Sequence, residues 1–375
     1  MTRTLPSSED PMSPASARLL EDLSIYVLPG RTQDPAHGLV EAKDAERAGF
    51  GTVYVSERLD LKEAAVTCGA LTAVTTGTRI GTAVIHPGTR HPLTMAAMAA
   101  TLQTMSGGRF VLGLGRGLGA LAPSLGVAKP TLAGLEHLVV TLRRLWAGER
   151  LTETGPAGSF RGLRFSDVPA VPPPPILFGT IGPKGLALAG RLFDGVILHP
   201  LLSPDAVARS VQIVRRAAED AGRDPTAVRV VCTLITAPDL SAERAGVVVG
   251  ARAISYVQVR GLGELLVAAN GWDPAVLQRV RDHPTLAGKG IADTALTRDR
   301  LVEAAGAIPE AWFEEGSAVG SAAHCVARGR LYLAAGADEI LLHGTSPLEA
   351  TALARRWGET NAERTSARPA AASSS

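Results

Sequence analysis

The sequence has little of several features that mark common classes of protein. Its three cysteines, Cys68, Cys232 and Cys325, are far apart and form no Cys-x-x-Cys pair, which excludes a disulfide framework and a zinc ribbon. No uninterrupted apolar run approaches the roughly 18 residues that a membrane span needs. Residues 1–20 lack the apolar central stretch of a secretory signal. The expected protein is therefore cytoplasmic, with no membrane partner.

Aromatic residues and excess charge are also scarce. The 375 residues include 15 aromatics, and 38 basic residues face 36 acidic ones for a net charge of +2. Nucleic-acid binding usually needs a basic surplus or stacking aromatics, so no nucleic-acid partner is expected. The 46% of hydrophobic residues can build a large core, which excludes an intrinsically disordered chain. An anionic ligand would need arginines that gather locally.

Short β-branched runs alternate with helical stretches along most of the chain. Eight strand–helix units predict parallel strands with right-handed crossovers, and their number favours an α/β fold of the (β/α)₈ TIM barrel type. We predict one barrel domain over residues 21–361, insertions at 115–131 and 262–330 after strands 4 and 7, and disordered tails at 1–20 and 362–375. Residues 148–165 read as a hairpin. The predicted strands are 23–28, 52–55, 79–85, 110–114, 176–178, 195–198, 228–234 and 339–342.

Two glycine-containing loops follow predicted strands. The run at 110–126 has four glycines at alternate positions, but its spacing and Pro123 exclude a Rossmann fingerprint. It is either a mobile turn or a loop whose backbone approaches a ligand. The second loop opens a helix, where free N–H groups would form an anion cradle, although an ordinary βα loop would look similar. Its residues are Gly179, Thr180, Ile181, Gly182, Pro183 and Lys184.

Three histidines, His86, His199 and His343, end predicted strands and would project near the C-terminal mouth of the barrel. Together they could form the metal site of a hydrolase. Such a metal site would also need carboxylates at strand ends. The available carboxylate is Glu57, which lies beside Arg58 after strand two. We therefore predict no metal.

Four segments together carry a family resemblance. They are residues 45–58, 79–117, 172–198 and 336–344, and 79–117 is the most specific because strand, Arg-His-Pro, helix, Ser-Gly-Gly-Arg, strand and glycine loop occur in order. The chain resembles the luciferase-like monooxygenase superfamily, and more closely its coenzyme F420-dependent oxidoreductases from actinobacteria. The similarity spans roughly residues 23–360, of which the second insertion matches poorly.

The resemblance implies a flavin or deazaflavin across the C-terminal mouth of a TIM barrel. A bulge after strand three, often with a cis peptide bond, would support the ring at Ala83 and Val84. The two glycine loops would hold the ribityl and phosphate portion. The residues implied in those loops are Gly115, Arg116, Gly117, Gly179, Thr180, Ile181, Gly182 and Pro183.

The chain departs from the family pattern at two positions. Many deazaflavin members have Asp-His after strand two, where this chain has Glu57-Arg58, and sugar-phosphate dehydrogenases have Glu where it has Leu118. The pattern therefore leaves the general acid or base unassigned. We take His86 as the substitute, with Glu57 and Arg58 as further catalytic candidates. Arg58 or Arg116 would supply positive charge to the cofactor.

The leading hypothesis is an oxidoreductase that transfers a hydride between coenzyme F420 and a small organic substrate. The first alternative is an FMN-dependent luciferase-like monooxygenase on the same fold. A metal-dependent hydrolase barrel and a barrel that binds cofactor without turnover are further alternatives. The insertions at 115–131 and 262–330 would select the substrate. Family members are often dimers, so a homodimer is left open.

Overall fold

A computed structural model describes residues 19–366, with the exception of Arg31, Asp60, Leu118, Ala120, Leu121, Pro169 and Gly290. Eight parallel strands close into a barrel in the order β1-β2-β3-β4-β7-β8-β9-β11, and β11 pairs back onto β1. The prediction of a TIM barrel is confirmed. The strands are β1 (Leu20–Tyr26), β2 (Phe50–Val55), β3 (Arg79–Thr82), β4 (Phe110–Gly115), β5 (Leu151–Gly155), β6 (Gly158–Leu163), β7 (Ile176–Thr180), β8 (Gly195–Leu198), β9 (Arg229–Pro238), β10 (Ser317–Gly320) and β11 (Glu339–His343).

Helices surround the barrel, and several begin at the caps that the sequence supplies. Thr131 and Ser203 each accept a hydrogen bond from a backbone N–H of the helix that follows, which is the usual role of such residues at a helix start. The helices are α1 (His37–Arg47), α2 (Ala64–Thr72), α3 (Pro92–Met105), α4 (Leu132–Trp146), α5 (Pro183–Leu192), α6 (Pro204–Asp220), α7 (Ala242–Val257), α8 (Leu262–Asn270), α9 (Ala275–Arg281), α10 (Ala292–Ala295), α11 (Arg298–Ala305), α12 (Glu310–Gly316), α13 (Ala322–Ala334) and α14 (Thr351–Ser366).

The barrel interior is filled by side chains and is not a pore. Each of the eight barrel strands, or in the case of β3 the segment that follows it, contributes one residue to a buried cluster. Such packed layers of side chains are expected inside this fold. The Tyr26 hydroxyl donates a hydrogen bond of 2.8 Å to the carbonyl of Ala83, which ties the end of β1 to the segment after β3. The cluster consists of Tyr26, Tyr54, Ala83, Val111, Leu177, Ile197, Val231 and Leu341.

The barrel strands lie where they were predicted, and the largest differences in length are at β3 and β9. Strand β3 ends at Thr82 and not at residue 85, although Ile85 still pairs with Leu114 of β4 as an isolated bridge. Strand β9 continues to Pro238, four residues beyond its predicted end. Its added residues pair with β10, which the sequence did not predict.

The second insertion lies over the barrel mouth, the end at which the eight strands have their C-terminal residues. Its helices α8 to α12 lie between α7 and β10 in the chain. Leu265 of α8 reaches to within 3.4 Å of the place where a Cβ on Gly182 would stand. Asp293 of α10 forms an ion pair of 2.5 Å with Arg58. The insertion therefore reaches the ends of two barrel strands, β7 and β2.

The last helix closes the barrel near its first strand. The indole N–H of Trp357 donates to Asp22 at 3.0 Å, and the Arg330 guanidinium stacks 3.9 Å from the indole centroid. Helix α14 runs to Ser366, so residues 362–366 belong to a helix and not to the predicted tail. The predicted tail residues 1–18 and 367–375 lie outside the described residues. No helix in the described part of the chain has the length and apolar character of a membrane span.

Candidate active site

The segment after β3 lies at the barrel mouth, beside the ends of β4 and β7. Its Ala83–Val84 bond is cis, at the position that the family resemblance implied. A Cβ on Gly115 would lie 2.4 Å from Cγ2 of Val84, and a Cβ on Gly179 would lie 2.7 Å from its Cγ1. The two glycine loops therefore meet at the side chain of Val84, because any larger residue at either position would displace it. The predicted cofactor residues on β3, β4 and β7 are neighbours in space.

Glu57 holds this segment in place from β2. Its backbone N–H donates to the carbonyl of Val84 at 3.3 Å, and its carboxylate accepts the backbone N–H of His86 at 3.0 Å. The same carboxylate forms a bidentate pair with Arg90, at 2.5 and 3.2 Å. The Glu57 side chain is 2% exposed. Both oxygens of the Glu57 carboxylate therefore accept hydrogen bonds from the protein itself. Arg90 also forms an ion pair with Glu63.

His86 presents an unpaired donor. Its Nδ1 accepts the backbone N–H of Gly88 at 3.0 Å, which places the ring proton of the neutral form on Nε2. Nε2 is buried and has no hydrogen-bond partner among the described residues. Burial lowers the pKa of His86. The ring packs on Gly117, where a Cβ would lie 2.0 Å from Cδ2 and where φ is +70°, so glycine is required there on two grounds.

The loop after β7 opens helix α5. Gly182 is the residue before the helix, with extended backbone and no side-chain cap, and Pro183 occupies the first turn. The first N–H groups of α5 are therefore not capped by a side chain from this residue, and the positive end of the helix faces the loop. Gly179, Thr180 and Gly182 are partly exposed, whereas Ile181 is buried. This geometry suits an anion, as the sequence predicted.

The opposite wall of the mouth is aromatic and histidine-rich. Nε2 of His343 lies 3.0 Å from the hydroxyl of Tyr256, which comes from α7. The His199 ring stands edge-on to Tyr256 at 4.8 Å between centroids, and Tyr26 lies 4.8 Å from His343. Burial lowers the pKa of His199 to about 4 and holds the pKa of His343 well below its ordinary value, with the charge of Arg252 adding to the second effect.

The three strand-end histidines do not share one site. His199 and His343 flank Tyr256, whereas His86 lies with Glu57 and Gly117 on the other side of the mouth. Across the described residues, no group of three or more His, Cys, Asp or Glu side chains is placed to hold a metal ion.

The two predicted arginines have different surroundings. Arg58 pairs with Asp293 and joins the mouth to the second insertion. Arg116 is exposed, next to Gly117. Both lie at strand ends, and of the two Arg116 is the more exposed to solvent.

Sequence reasoning missed the wall formed by Tyr26, Tyr256 and Arg252, and also Arg90. The sequence offered one signal: the chain has four tyrosines, and two of them reach the mouth. Arg252 and Tyr256 are four residues apart on α7 and so share a helix face. That face could be assigned to the mouth only once the position of α7 was known.

Comparisons with known proteins agree with this architecture. The luciferase-like monooxygenase family profile matches residues 21–339. The chain is 30% identical over 239 residues to a 5,10-methylenetetrahydromethanopterin reductase of Methanolobus tindarius, a match that covers 62% of this chain and 71% of the relative. It is 36% identical over 166 residues to an F420-dependent glucose-6-phosphate dehydrogenase of Beutenbergia cavernae, covering 41% of this chain and 49% of that enzyme. The matched part thus spans about half the length of the second relative.

Solved structures share the fold at low sequence identity. A coenzyme F420-dependent tetrahydromethanopterin reductase from Methanopyrus kandleri superposes with a TM-score of 0.72 at 19% identity, over 92% of this chain and 99% of that one. An F420-dependent secondary alcohol dehydrogenase in complex with an F420–acetone adduct gives 0.66 at 20% identity, over 89% and 97%. A monooxygenase from Streptomyces bottropensis gives 0.61 at 20% identity, over 92% and 99%.

Proposed function

The chain belongs to the luciferase-like monooxygenase family, and we propose that it is an oxidoreductase that transfers a hydride between coenzyme F420 and a small organic substrate at the barrel mouth. The observation that carries this proposal is the junction at Val84. There the glycines of two loops meet the side chain of Val84, beside an unpaired N–H of His86. Three of the proteins named above are F420-dependent by name, and they support the choice of cofactor.

The residues present fit a deazaflavin. The glycines of the two loops leave room for the Val84 side chain at the junction, and this side chain would support a flat ring. The uncapped start of α5 offers N–H groups and a positive helix end for a phosphate. Gly115, Arg116, Gly117 and residues 179–183 would hold the cofactor, with Ala83 and Val84 beneath the ring. When bound, coenzyme F420 would supply the hydride acceptor or donor.

The protein side chains would orient the reactants and handle the proton. His86, neutral at pH 7, can donate its Nε2 proton to an oxygen placed against it. We assign Glu57 a positioning role, because its carboxylate is held by Arg90 and by the His86 backbone. The pair of His343 and Tyr256 is a second group able to exchange a proton with a substrate. Arg58 would fix the insertion over the mouth through Asp293.

A titration of the purified protein with coenzyme F420 and with FMN, followed by fluorescence, tests the proposal. We expect micromolar binding of coenzyme F420, and absence of binding by both cofactors would contradict the assignment. Gly182→Asp should abolish binding by placing a carboxylate against the cofactor phosphate. Gly182→Asn is the matched control, since it has the same shape without the charge. Both residues are favourable before a helix, so both variants should fold.

The FMN-dependent monooxygenase remains the second candidate, favoured by the fold shared with the Streptomyces monooxygenase. The two cofactors differ in their reaction with oxygen, because deazaflavins react with it slowly. Rapid oxygen consumption on mixing the protein with reduced FMN, together with tighter FMN binding, would select this candidate. A cytoplasmic location and a homodimer stay predictions.

A further inference from the structure

A cavity of about 300 Å³ adjoins the barrel mouth. Its wall includes Leu28 and Pro29, which follow β1, and Gly344, which follows His343 at the end of β11. The cavity is also lined by three arginines, Arg244 and Arg252 of α7 and Arg298 of α11. Three guanidinium groups thus line one small cavity in a protein whose net charge is only +2.

Arg252 is the central group of this cavity. It is 7% exposed, and its Nε is buried with no hydrogen-bond partner among the described residues. A Cβ on Gly30 would lie 2.5 Å from Nη2 of Arg298 and 3.8 Å from Nη2 of Arg252, so both guanidinium groups approach the same point of the backbone. Burial lowers the pKa of Arg252 to about 10, and the charge of Arg298 contributes to that shift.

The carboxylates in the cavity wall are engaged elsewhere. Glu349 accepts two hydrogen bonds from Arg244, at 3.0 and 3.3 Å, and one from the backbone N–H of Ser346 at 2.8 Å. Glu41 accepts the backbone N–H of Leu28, and burial raises its pKa. Neither carboxylate forms a salt bridge with Arg252. A buried guanidinium with an unsatisfied N–H is costly unless an acceptor reaches it.

The backbone at the cavity is held in an uncommon conformation. Leu28 has φ of +51°, which is unfavourable for a residue with a branched side chain. Its N–H is bound by Glu41 and its carbonyl by the ammonium group of the buried Lys62. The protein therefore fixes this wall with two charged side chains, as is common where a site must keep its shape.

We infer that this cavity binds an anionic group of the substrate, a carboxylate or a phosphate monoester. Planar guanidinium groups match both in geometry. Arg252 lies one helical turn from Tyr256, which contacts His343, so an anion held there would direct the rest of the substrate toward the barrel mouth. The inference rests on the proposed function and narrows its substrate class to small organic anions.

The test is a calorimetric titration of the F420-saturated protein with inorganic phosphate and, separately, with acetate. Saturation keeps phosphate out of the proposed cofactor site. Arg298→Gln and Arg252→Gln should each weaken binding about tenfold or more, since each removes a charge-assisted contact. Arg161→Gln is the control, because Arg161 is exposed on the β5–β6 hairpin. If Arg252→Gln does not fold, Arg298→Gln alone tests the inference, because Arg298 is partly exposed and its replacement should leave the fold intact.

The stronger of the two probes identifies the anion. Equal affinity of Arg298→Gln and Arg161→Gln for both probes, or no binding by the wild type, would overturn the inference. Coenzyme F420 affinity is measured in the same samples and should be unchanged in Arg298→Gln. Failure of the wild type to bind coenzyme F420 would overturn the proposed function alone, because the anion titration can then be made on the apoprotein.

Discussion

The hydroxyl of Tyr256 and Nε2 of His343 lie 3.0 Å apart and join helix α7 to the end of β11. The imidazole is neutral, because burial and the nearby Arg252 hold its pKa well below the ordinary value. Its Nδ1 is buried and unpaired within the described structure. Tyr256 therefore decides which ring nitrogen of His343 carries the proton, and so whether Nδ1 is a donor or an acceptor.

Tyr256→Phe removes the hydroxyl that hydrogen-bonds to Nε2 of His343. We expect the free energy of unfolding to fall by about 1 kcal/mol, as for the loss of one buried hydrogen bond. In ¹⁵N NMR spectra the His343 ring should change from one dominant tautomer to a mixture. Coenzyme F420 affinity should stay the same, because Tyr256 lies with His199 and His343 and is not one of the proposed cofactor residues. A His343 spectrum identical to that of the wild type would refute the role of Tyr256.

Gly115→Ala tests the junction at Val84. The added Cβ would lie 2.4 Å from Cγ2 of Val84, so this side chain must move. We expect a stability loss of about 1–3 kcal/mol from overpacking, and weaker coenzyme F420 binding because the ring support shifts. Gly246→Ala is the control, since nothing lies within 4 Å of the new Cβ there.

A second substitution shows whether the stability loss of Gly115→Ala comes from its contact with Val84. Val84→Ala removes the atoms that the Gly115→Ala side chain would meet, so the double variant should regain part of the lost stability. Thermal unfolding of the two single variants and the double variant measures this coupling. Additive losses would show that Gly115 is required for a reason unconnected with Val84.

The barrel was predictable because its pattern is local. Each strand is a short β-branched run and each helix follows within a few residues, so the eight units could be counted from the sequence. The extension of β9 beyond its predicted end arose from a long-range effect. Strand β9 is extended by pairing with β10, at residues 235 and 317, and no local signal announces a partner so distant in the chain.

On one side of the mouth, the sequence predicted which segments lie close together. The segment at Ala83–Val84 and the loops around Gly115 and Gly182 carry local glycine and strand-end signals. The other wall depends on α7, whose inward face is set by the packing of the second insertion. Arg252 and Tyr256 are ordinary helix residues by sequence, and their shared face gains meaning only when α7 is placed beside β11.

Glu57→Gln tests the buried ion pair beneath His86. Glu57 is 2% exposed and its partner Arg90 is 12% exposed, so removing the carboxylate charge leaves the guanidinium poorly compensated. We expect a loss of about 3 kcal/mol in the free energy of unfolding. Glu63→Gln removes the other contact of Arg90, but Glu63 is 44% exposed and the loss should stay below about 1 kcal/mol. Equal losses in denaturant unfolding would contradict this ranking.

Acid should destabilise the protein through His199 of the aromatic wall, which is partly buried. Burial lowers the pKa of His199 from 6.5 to about 4, so between these values the unfolded chain binds a proton that the folded chain does not. Stability is therefore fully present above pH 6.5 and falls as the pH drops toward 4. The contribution of His199 between pH 7 and pH 5 is about 2 kcal/mol.

His199→Gln isolates this contribution, because glutamine keeps a polar side chain that does not titrate. Denaturant unfolding of the variant at pH 7 and pH 5 should show a smaller loss than the wild type, by about 2 kcal/mol. The control is His324→Gln, at an exposed position on α13, which should leave the acid-induced loss unchanged. If His199→Gln and the wild type lose equal stability, His199 is protonated in the folded protein at pH 5 and the wall admits water.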